Sequence, residues 1–145
     1  MNLRNQVESF LRDKIPLATA MGVRVVTLDP LAIEAPVALN SNHLGTAFGG
    51  SINAVATLAG YALLWLALHD DPSVRLVIAE SSIRFLRPVR NTIRAVCGRP
   101  EESLTTLKSE LAAHNRGRIR LRVRVEEGGA PAAEFEGLFV AIRSD

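Results

Sequence analysis

Asn42-His43-Leu44-Gly45-Thr46-Ala47-Phe48-Gly49-Gly50, running into Ser51-Ile52-Asn53-Ala54-Val55-Ala56-Thr57-Leu58-Ala59-Gly60-Tyr61-Ala62-Leu63-Leu64-Trp65-Leu66-Ala67-Leu68, is the stretch on which the fold turns. A polar, glycine-rich connection gives way to a long apolar segment. No Asp, Glu, Lys or Arg lies between Glu34 and Asp70. As a helix, residues 51–68 would be about 27 Å long, a marginal membrane span. Asn53, Thr57, Gly60 and Tyr61 interrupt it and strand-like segments flank it, so it reads as a core helix. Pro72, after His69-Asp70-Asp71, blocks its continuation. A helix apolar on every side must be enclosed, and the rest of the chain has to supply the enclosure.

The flanking segments supply strands. Upstream, residues 3–14 have helical spacing, with Leu3, Val7, Phe10 and Leu11 on one face, and Ile15-Pro16 ends them. Val23 to Leu28 and Leu31 to Val37 read as a hairpin around Asp29-Pro30. Downstream, Val74 to Leu86 and Thr92 to Gly98 read as strands. Glu101 to His114 reads as a helix with Leu104, Leu107 and Leu111 on one face.

The alternation that follows is the cleanest in the chain. Arg118, Arg120, Arg122 and Arg124 interleave with Ile119, Leu121, Val123 and Val125, a strand with one wet face. Its partner is Ala133 to Ile142. A three-residue loop, Gly128 to Ala130, would set Arg124 opposite Glu134, Val123 opposite Phe135 and Arg122 opposite Glu136. A two-residue loop would oppose Arg122 to Phe135 and mix the faces. The three-residue loop is therefore expected. The arginine row reads either as an anion-binding stripe or as a solvated face of cross-strand Arg–Glu pairs. The available glutamates favour the second.

Composition sets the frame. The chain has 145 residues, 48% hydrophobic and 22% charged, which suits one α+β domain spanning 1–145. A formal net charge of +2 is too mild for a nucleic-acid protein but compatible with an anionic small ligand. Cys97 is the single cysteine, so no intrachain disulfide can form, and no Cys/His cluster has metal-ligand spacing. Residues 1–15 lack the apolar core of a signal peptide, so a cytoplasmic setting is expected.

The order of elements, with glycines opening a buried helix, resembles the hotdog fold, an antiparallel sheet wrapped around a central helix. Asn42 through Gly50 resembles the asparagine…glycine…His-Gly-Gly segment of hotdog acyl-CoA thioesterases. Ile83-Arg84-Phe85-Leu86-Arg87-Pro88-Val89 resembles their strand-aromatic-Arg-Pro segment. The combination of Gly-Thr-Ala-Phe-Gly-Gly, Trp65 on the apolar helix and the Ile-Arg-Phe-Leu-Arg-Pro-Val strand is similar to a thioesterase domain that follows a GNAT acetyltransferase domain in some bacterial proteins. The resemblance covers roughly Ile15 to the C-terminus. It implies hydrolysis of an acyl-CoA or acyl-carrier thioester, with coenzyme A as part of the substrate and no resident cofactor. It also implies a homodimer, possibly a tetramer, with active sites at the subunit interface.

The residues allow the chemistry to be argued directly. A helix N-terminus offers unpaired N–H groups and the positive end of a dipole, and glycines there let a carbonyl approach the backbone. Gly49 and Gly50 are thus candidate oxyanion donors, with Asn42 able to add a side-chain donor. A tight turn packing a helix under a sheet would need the same glycines. Asn53, Thr57 and Tyr61 form a polar stripe on the helix, lining either the site or a subunit contact. Phe48 stands where the resembled motif has histidine, and Thr57 where many such thioesterases have an Asp or Glu.

With a neutral hydroxyl at 57, Glu80, an acid inside an apolar strand, is the substitute base, although alternation sets it on the face of Ser82 and Arg84. His43 and Arg87 are further candidates for binding substrate, with Phe48 and Tyr61. Cys97 reads as a buried filler. A non-catalytic acyl-ligand module is the alternative reading. Hydratase chemistry is disfavoured, since no paired His and acid occurs at the turn.

Overall fold

The computed structural model describes residues 1–144. The first helix, α1, spans Leu3–Lys14 and is capped by the Asn2 side chain, which accepts from the Asn5 N–H. Pro16 then opens a short second helix, α2 (Pro16–Ala20), at the position where its missing N–H costs nothing. The sequence reading has no counterpart to α2. Strands β1 (Arg24–Leu28) and β2 (Leu31–Pro36) form the expected hairpin about Asp29-Pro30. One turn of 3-10 helix, Val37–Leu39, leads to the glycine-rich connection.

The central helix α3 is Gly49–Leu68, so the two glycines are its first residues rather than its approach. Strands β3 (Val74–Phe85) and β4 (Thr92–Cys97), helix α4 (Glu101–His114), and strands β5 (Arg116–Glu127) and β6 (Ala130–Arg143) complete the chain. Asn115 adopts φ 59° and closes α4 in the left-handed conformation.

The six strands form one antiparallel sheet in the order β1-β2-β4-β5-β6-β3. The sheet wraps α3, as the hotdog resemblance implied. Val55, Ala56, Ala59, Ala62 and Leu64 on the helix have no exposed surface. Gly60 is what lets the helix sit so near the sheet: a Cβ there would stand 2.5 Å from Cζ of Phe139 on β6. Among the described residues only α3 is long and apolar enough to cross a membrane. Here it is the packed centre of the fold.

Register follows the polarity argument, but the loop does not. Arg122 faces Glu136, Val123 faces Phe135 and Arg124 faces Glu134, as the alternation required. The expected three-residue loop is corrected to a two-residue turn, Gly128-Gly129, because Glu127 pairs with Ala130. A bulge next to Val125 takes up the extra residue. Both glycines have positive φ, 58° and 81°, which fits a tight hairpin turn that β-carbons would disfavour. A second bulge, at Ala79, shifts the phase of β3 between Ile78 and Glu80.

The two edges of the sheet differ. On β1 the outward backbone is occupied by α1: Arg4 Nη1 donates to the Val25 carbonyl at 2.9 Å, and the Val25 N–H donates to Glu8 Oε1 at 2.8 Å. On β3 the sheet ends in a twelve-residue strand with Val77 and Phe85 about half exposed.

Candidate functional site

The chain from Ser41 to Phe48 is a closed loop that fixes where α3 begins. The Asn42 N–H donates to the Thr46 carbonyl at 2.7 Å, and Asn42 Oδ1 accepts from the N–H groups of Leu44 and Thr46 at 2.8 and 3.2 Å. Gly45, at φ 79°, makes the reversal. The Ala47 N–H donates to the Val89 carbonyl at 2.8 Å and the Phe48 N–H to the Asn40 carbonyl at 2.7 Å, stitching the loop to its surroundings. The first helical bond of α3 runs from the Ile52 N–H to the Phe48 carbonyl, and Phe48 provides no side-chain cap. The amides of Gly49, Gly50 and Ser51 therefore precede the intrahelical ladder and stand at the positive end of the dipole.

Two aromatic rings flank these amides. Phe48, 56% exposed, folds over Gly50 so closely that a Cβ there would collide with the ring. Phe85, 53% exposed, lies 3.4 Å from where a Cβ on Gly49 would be. Beyond them lie two hollows. One, of about 360 Å³, touches Phe48, Gly50, Ser51, Ala54 and Leu17. The other, of about 390 Å³, is lined by Ile15, Leu17, Ala54, Thr57, Leu58 and Tyr61. Neither has a charged residue in its wall.

The structure gathers some of the candidates and disperses others. Phe48, Gly49, Gly50, Thr57 and Tyr61 share this face of α3. Thr57 Oγ1 donates to the Asn53 carbonyl at 2.8 Å, and Asn53 Oδ1 is buried with no partner among the described residues. Tyr61 packs edge-on against Phe139 with centroids 5.3 Å apart. Burial pushes its phenol up, against a smaller opposing pull from the backbone of Ile78. Asn42 does not present a free donor. Its Nδ2 donates to Thr46 Oγ1 at 2.9 Å and more weakly to the Ala47 carbonyl at 3.4 Å, so its amide holds the turn. His43 is exposed at the loop tip. Arg87 follows Phe85 by two residues, and its Nε donates to the Pro131 carbonyl at 3.2 Å.

Glu80 is not in a hollow with the glycines. Its side chain is 66% exposed and lies 3.7 Å from Arg120 of β5 on the outer face of the sheet. The burial that would have suited it to general-base work is missing. The arginine row behaves as a solvated face in part: Arg120 also reaches Glu136 at 3.7 Å, and Arg124 reaches Glu126 at 2.5 Å. Cys97 is buried, and burial pushes its thiol up to about 12, which leaves it without nucleophilic character at neutral pH.

Three contributors escaped the sequence reading. Leu17 belongs to α2, which is too short to show a period. Phe85 was visible only as part of a motif, and its approach to Gly49 is a tertiary contact. Asn40, 4% exposed, donates through Nδ2 to the carbonyls of Met21 and Pro36 at 3.0 and 2.8 Å, tying the end of α2 to the end of β2. An asparagine in a polar loop carries no local sign of such burial.

The fold has relatives among solved structures. The structure superposes on the "putative thioesterase" from Shewanella oneidensis with a TM-score of 0.86, at 30% identity over 97% of each chain. A protein of unknown function from Chlorobaculum tepidum gives a TM-score of 0.92 at 24% identity, covering 98% of this chain and 95% of that one. A thioesterase from Haemophilus influenzae gives 0.64 at 16% identity, covering 99% and 92%, a likeness of fold. A family described as "Putative thioesterase (yiiD_Cterm)" matches residues 4–143. With its central helix opened by Gly49 and Gly50 inside a six-stranded antiparallel sheet, this chain belongs to that thioesterase family of the hotdog fold.

Proposed function

We propose that this protein hydrolyses acyl thioesters carried on coenzyme A or on an acyl-carrier protein, with the thioester carbonyl held at the Gly49-Gly50 end of α3. The observation that carries the reading is the uncapped start of α3. Its amides lie between the Phe48 and Phe85 rings and adjoin an uncharged hollow. Water adds to the carbonyl carbon, the oxyanion is stabilised by backbone N–H groups, and the C–S bond breaks to release a thiol and a carboxylic acid. The reading needs no resident cofactor. Its binding contacts come from Phe48, Asn53 and Tyr61, and the exposed His43 and Arg87 would meet the anionic parts of a coenzyme A ester.

The reading includes a homodimer. The β1 edge is blunted by Arg4 and Glu8, whereas β3 keeps an open backbone beside Val77 and Phe85, so the unprotected edge is the one available to a second copy. A tetramer would need a further contact, and a cytoplasmic setting suits a soluble thioester substrate. Light scattering on purified protein should give twice the chain mass, and a monomer at micromolar concentration would remove this part.

One observation favours a second reading. No Asp or Glu lines either hollow, and position 57 is a threonine whose hydroxyl is already bonded. A protein so built could bind acyl thioesters without cleaving them. Both readings are separated by presenting short- and long-chain acyl-coenzyme A esters and measuring free thiol. Release above the spontaneous rate supports hydrolysis. Thermal stabilisation by the esters with no thiol release across the panel supports the binding module.

A further inference from the structure

Ion pairs explain only part of the outward face of the sheet. Glu34 on β2 takes Arg24 at 3.2 Å and Arg94 at 2.9 Å, and Glu126 on β5 takes Arg94 at 3.6 Å and Arg124 at 2.5 Å, so opposite charges alternate from β1 to β5. Arg120 is shared between Glu80 and Glu136. The acids end there. Strand register sets Arg75 level with Ile142 and Arg116, and Val77 level with Val140 and Arg118, and neither row contains a carboxylate.

Arg75, Arg116 and Arg118 are all exposed, and among the described residues no acid pairs with any of their guanidiniums. Glu110 of α4 comes near Arg118 but accepts only from its main-chain N–H, at 3.4 Å. Neighbouring strands lie ~4.8 Å apart and alternate residues ~6.8 Å apart, which puts the three α-carbons within about 12 Å of one another. Like charges this close repel, and an anion relieves them. Between them Val77 is about half exposed and Ile142 half-buried. We infer that this cluster docks the protein peripherally on an anionic phospholipid surface, with the guanidiniums on lipid phosphates and Val77 against the headgroups. The inference is independent of the thioester reading. It leaves α3 clear, since that helix packs on the opposite face of β6 through Gly60 and Phe139.

Shape favours lipid over a folded acidic protein. A protein partner needs a pocket and an aromatic or other large anchor to bind firmly. The outward side chains here are arginines and small aliphatics, and the hollows beside Gly98 and along α3 do not include them. A bilayer asks for no matching shape, because its headgroups move to meet each guanidinium, which can take two phosphate oxygens at once.

The test is sedimentation of the purified chain with vesicles of phosphatidylcholine, alone or mixed with phosphatidylglycerol. At low salt the chain should partition onto the mixed vesicles at least about 10-fold more strongly than onto the neutral ones, and severalfold more salt should remove the preference. Each of Arg75→Gln, Arg116→Gln and Arg118→Gln should weaken binding by about 5-fold, whereas Arg12→Gln on α1, which removes the same charge elsewhere, should change it by less than about 2-fold. Arg118→Lys keeps the charge and should stay within about 3-fold of the wild type, which guards against reading a folding defect as lost binding. Equal binding to neutral and mixed vesicles overturns the proposal. So does an equal loss in Arg12→Gln, which would make net charge the cause. Absence of binding to either vesicle overturns it as well, and a solution mass that then falls in Arg118→Gln by light scattering would assign the face to a second copy of the chain.

Discussion

Phe48 and Gly50 fit together as ring over backbone: a β-carbon at position 50 would overlap the Phe48 ring, with Cδ2 and Cζ at 3.1 and 3.2 Å. The ring is exposed and can swing away, so Gly50→Ala should fold, with a change in unfolding free energy within about 1 kcal/mol. The displaced ring and the new methyl would then crowd the helix N-terminus. If that N-terminus holds the oxyanion, kcat/KM for acyl thioesters should fall by about 10-fold or more. Unaltered kinetics in a folded Gly50→Ala protein would remove the glycine amides from the mechanism.

Thr57 stands where the resembled thioesterases place an acid. Thr57→Asp puts a carboxylate into a hollow with no charged wall, where desolvation raises its pKa toward the range useful for a general base. Thiol release should increase by about 10-fold, while Thr57→Ala should alter it by less than about 3-fold. A large loss in Thr57→Ala would show that the hydroxyl itself acts on substrate.

Gly60 tests the packing of the sheet on its helix. Phe139 has no exposed surface and cannot turn aside from a methyl group at position 60. Gly60→Ala should lose about 1–3 kcal/mol in urea unfolding despite its better helix propensity. The exposed Phe48 ring gives way to a Cβ, whereas the enclosed Phe139 ring does not, and that contrast separates the outcomes at Gly50 and Gly60.

Asp71 joins the end of α3 to the last strand. Hydrogen bonds from Ser73 hold its carboxyl below the usual range, and Arg143, at 2.8 Å, adds to the effect. A carboxyl that ionises more readily in the folded state contributes stability above the unfolded value, and loses it as pH falls through the lowered folded value. The melting temperature of the wild type should therefore drop in acid more steeply than that of Asp71→Asn, and the two curves should converge at the lowest pH.

Cys97 should behave as a core residue. With its thiol pushed up to about 12, it should resist iodoacetamide at pH 8 in the folded protein and react rapidly in urea. Its raised pKa means that the stability it contributes is full below the unfolded thiol value near 8.5 and is lost as pH rises toward 12. Rapid alkylation of the native protein would contradict its burial.

What the sequence determined is what depends on neighbours along the chain. The apolar run through Leu68 named the core helix, because without a charged residue it has no strongly solvated face to expose. The arginine alternation of β5 fixed which residues face outward and, through Glu134 and Glu136, the register with β6. Even the failed loop length shows the limit: polarity requires Arg122 opposite Glu136, but either a longer loop or a bulge satisfies it, and only the folded chain chose the bulge. The candidate site was legible where a local cause exists, in the glycines that begin α3. Its other parts were decided by tertiary contact. Phe85 reaches Gly49 from a strand more than thirty residues away, Leu17 lies on a helix too short to have a period, and Asn42 spends its amide on its own loop. Glu80 looked like an acid in an apolar strand, yet its carboxylate lies on the solvated side of the sheet beside Arg120, on the face where alternation had set it with Ser82 and Arg84; the tertiary structure decided its partner.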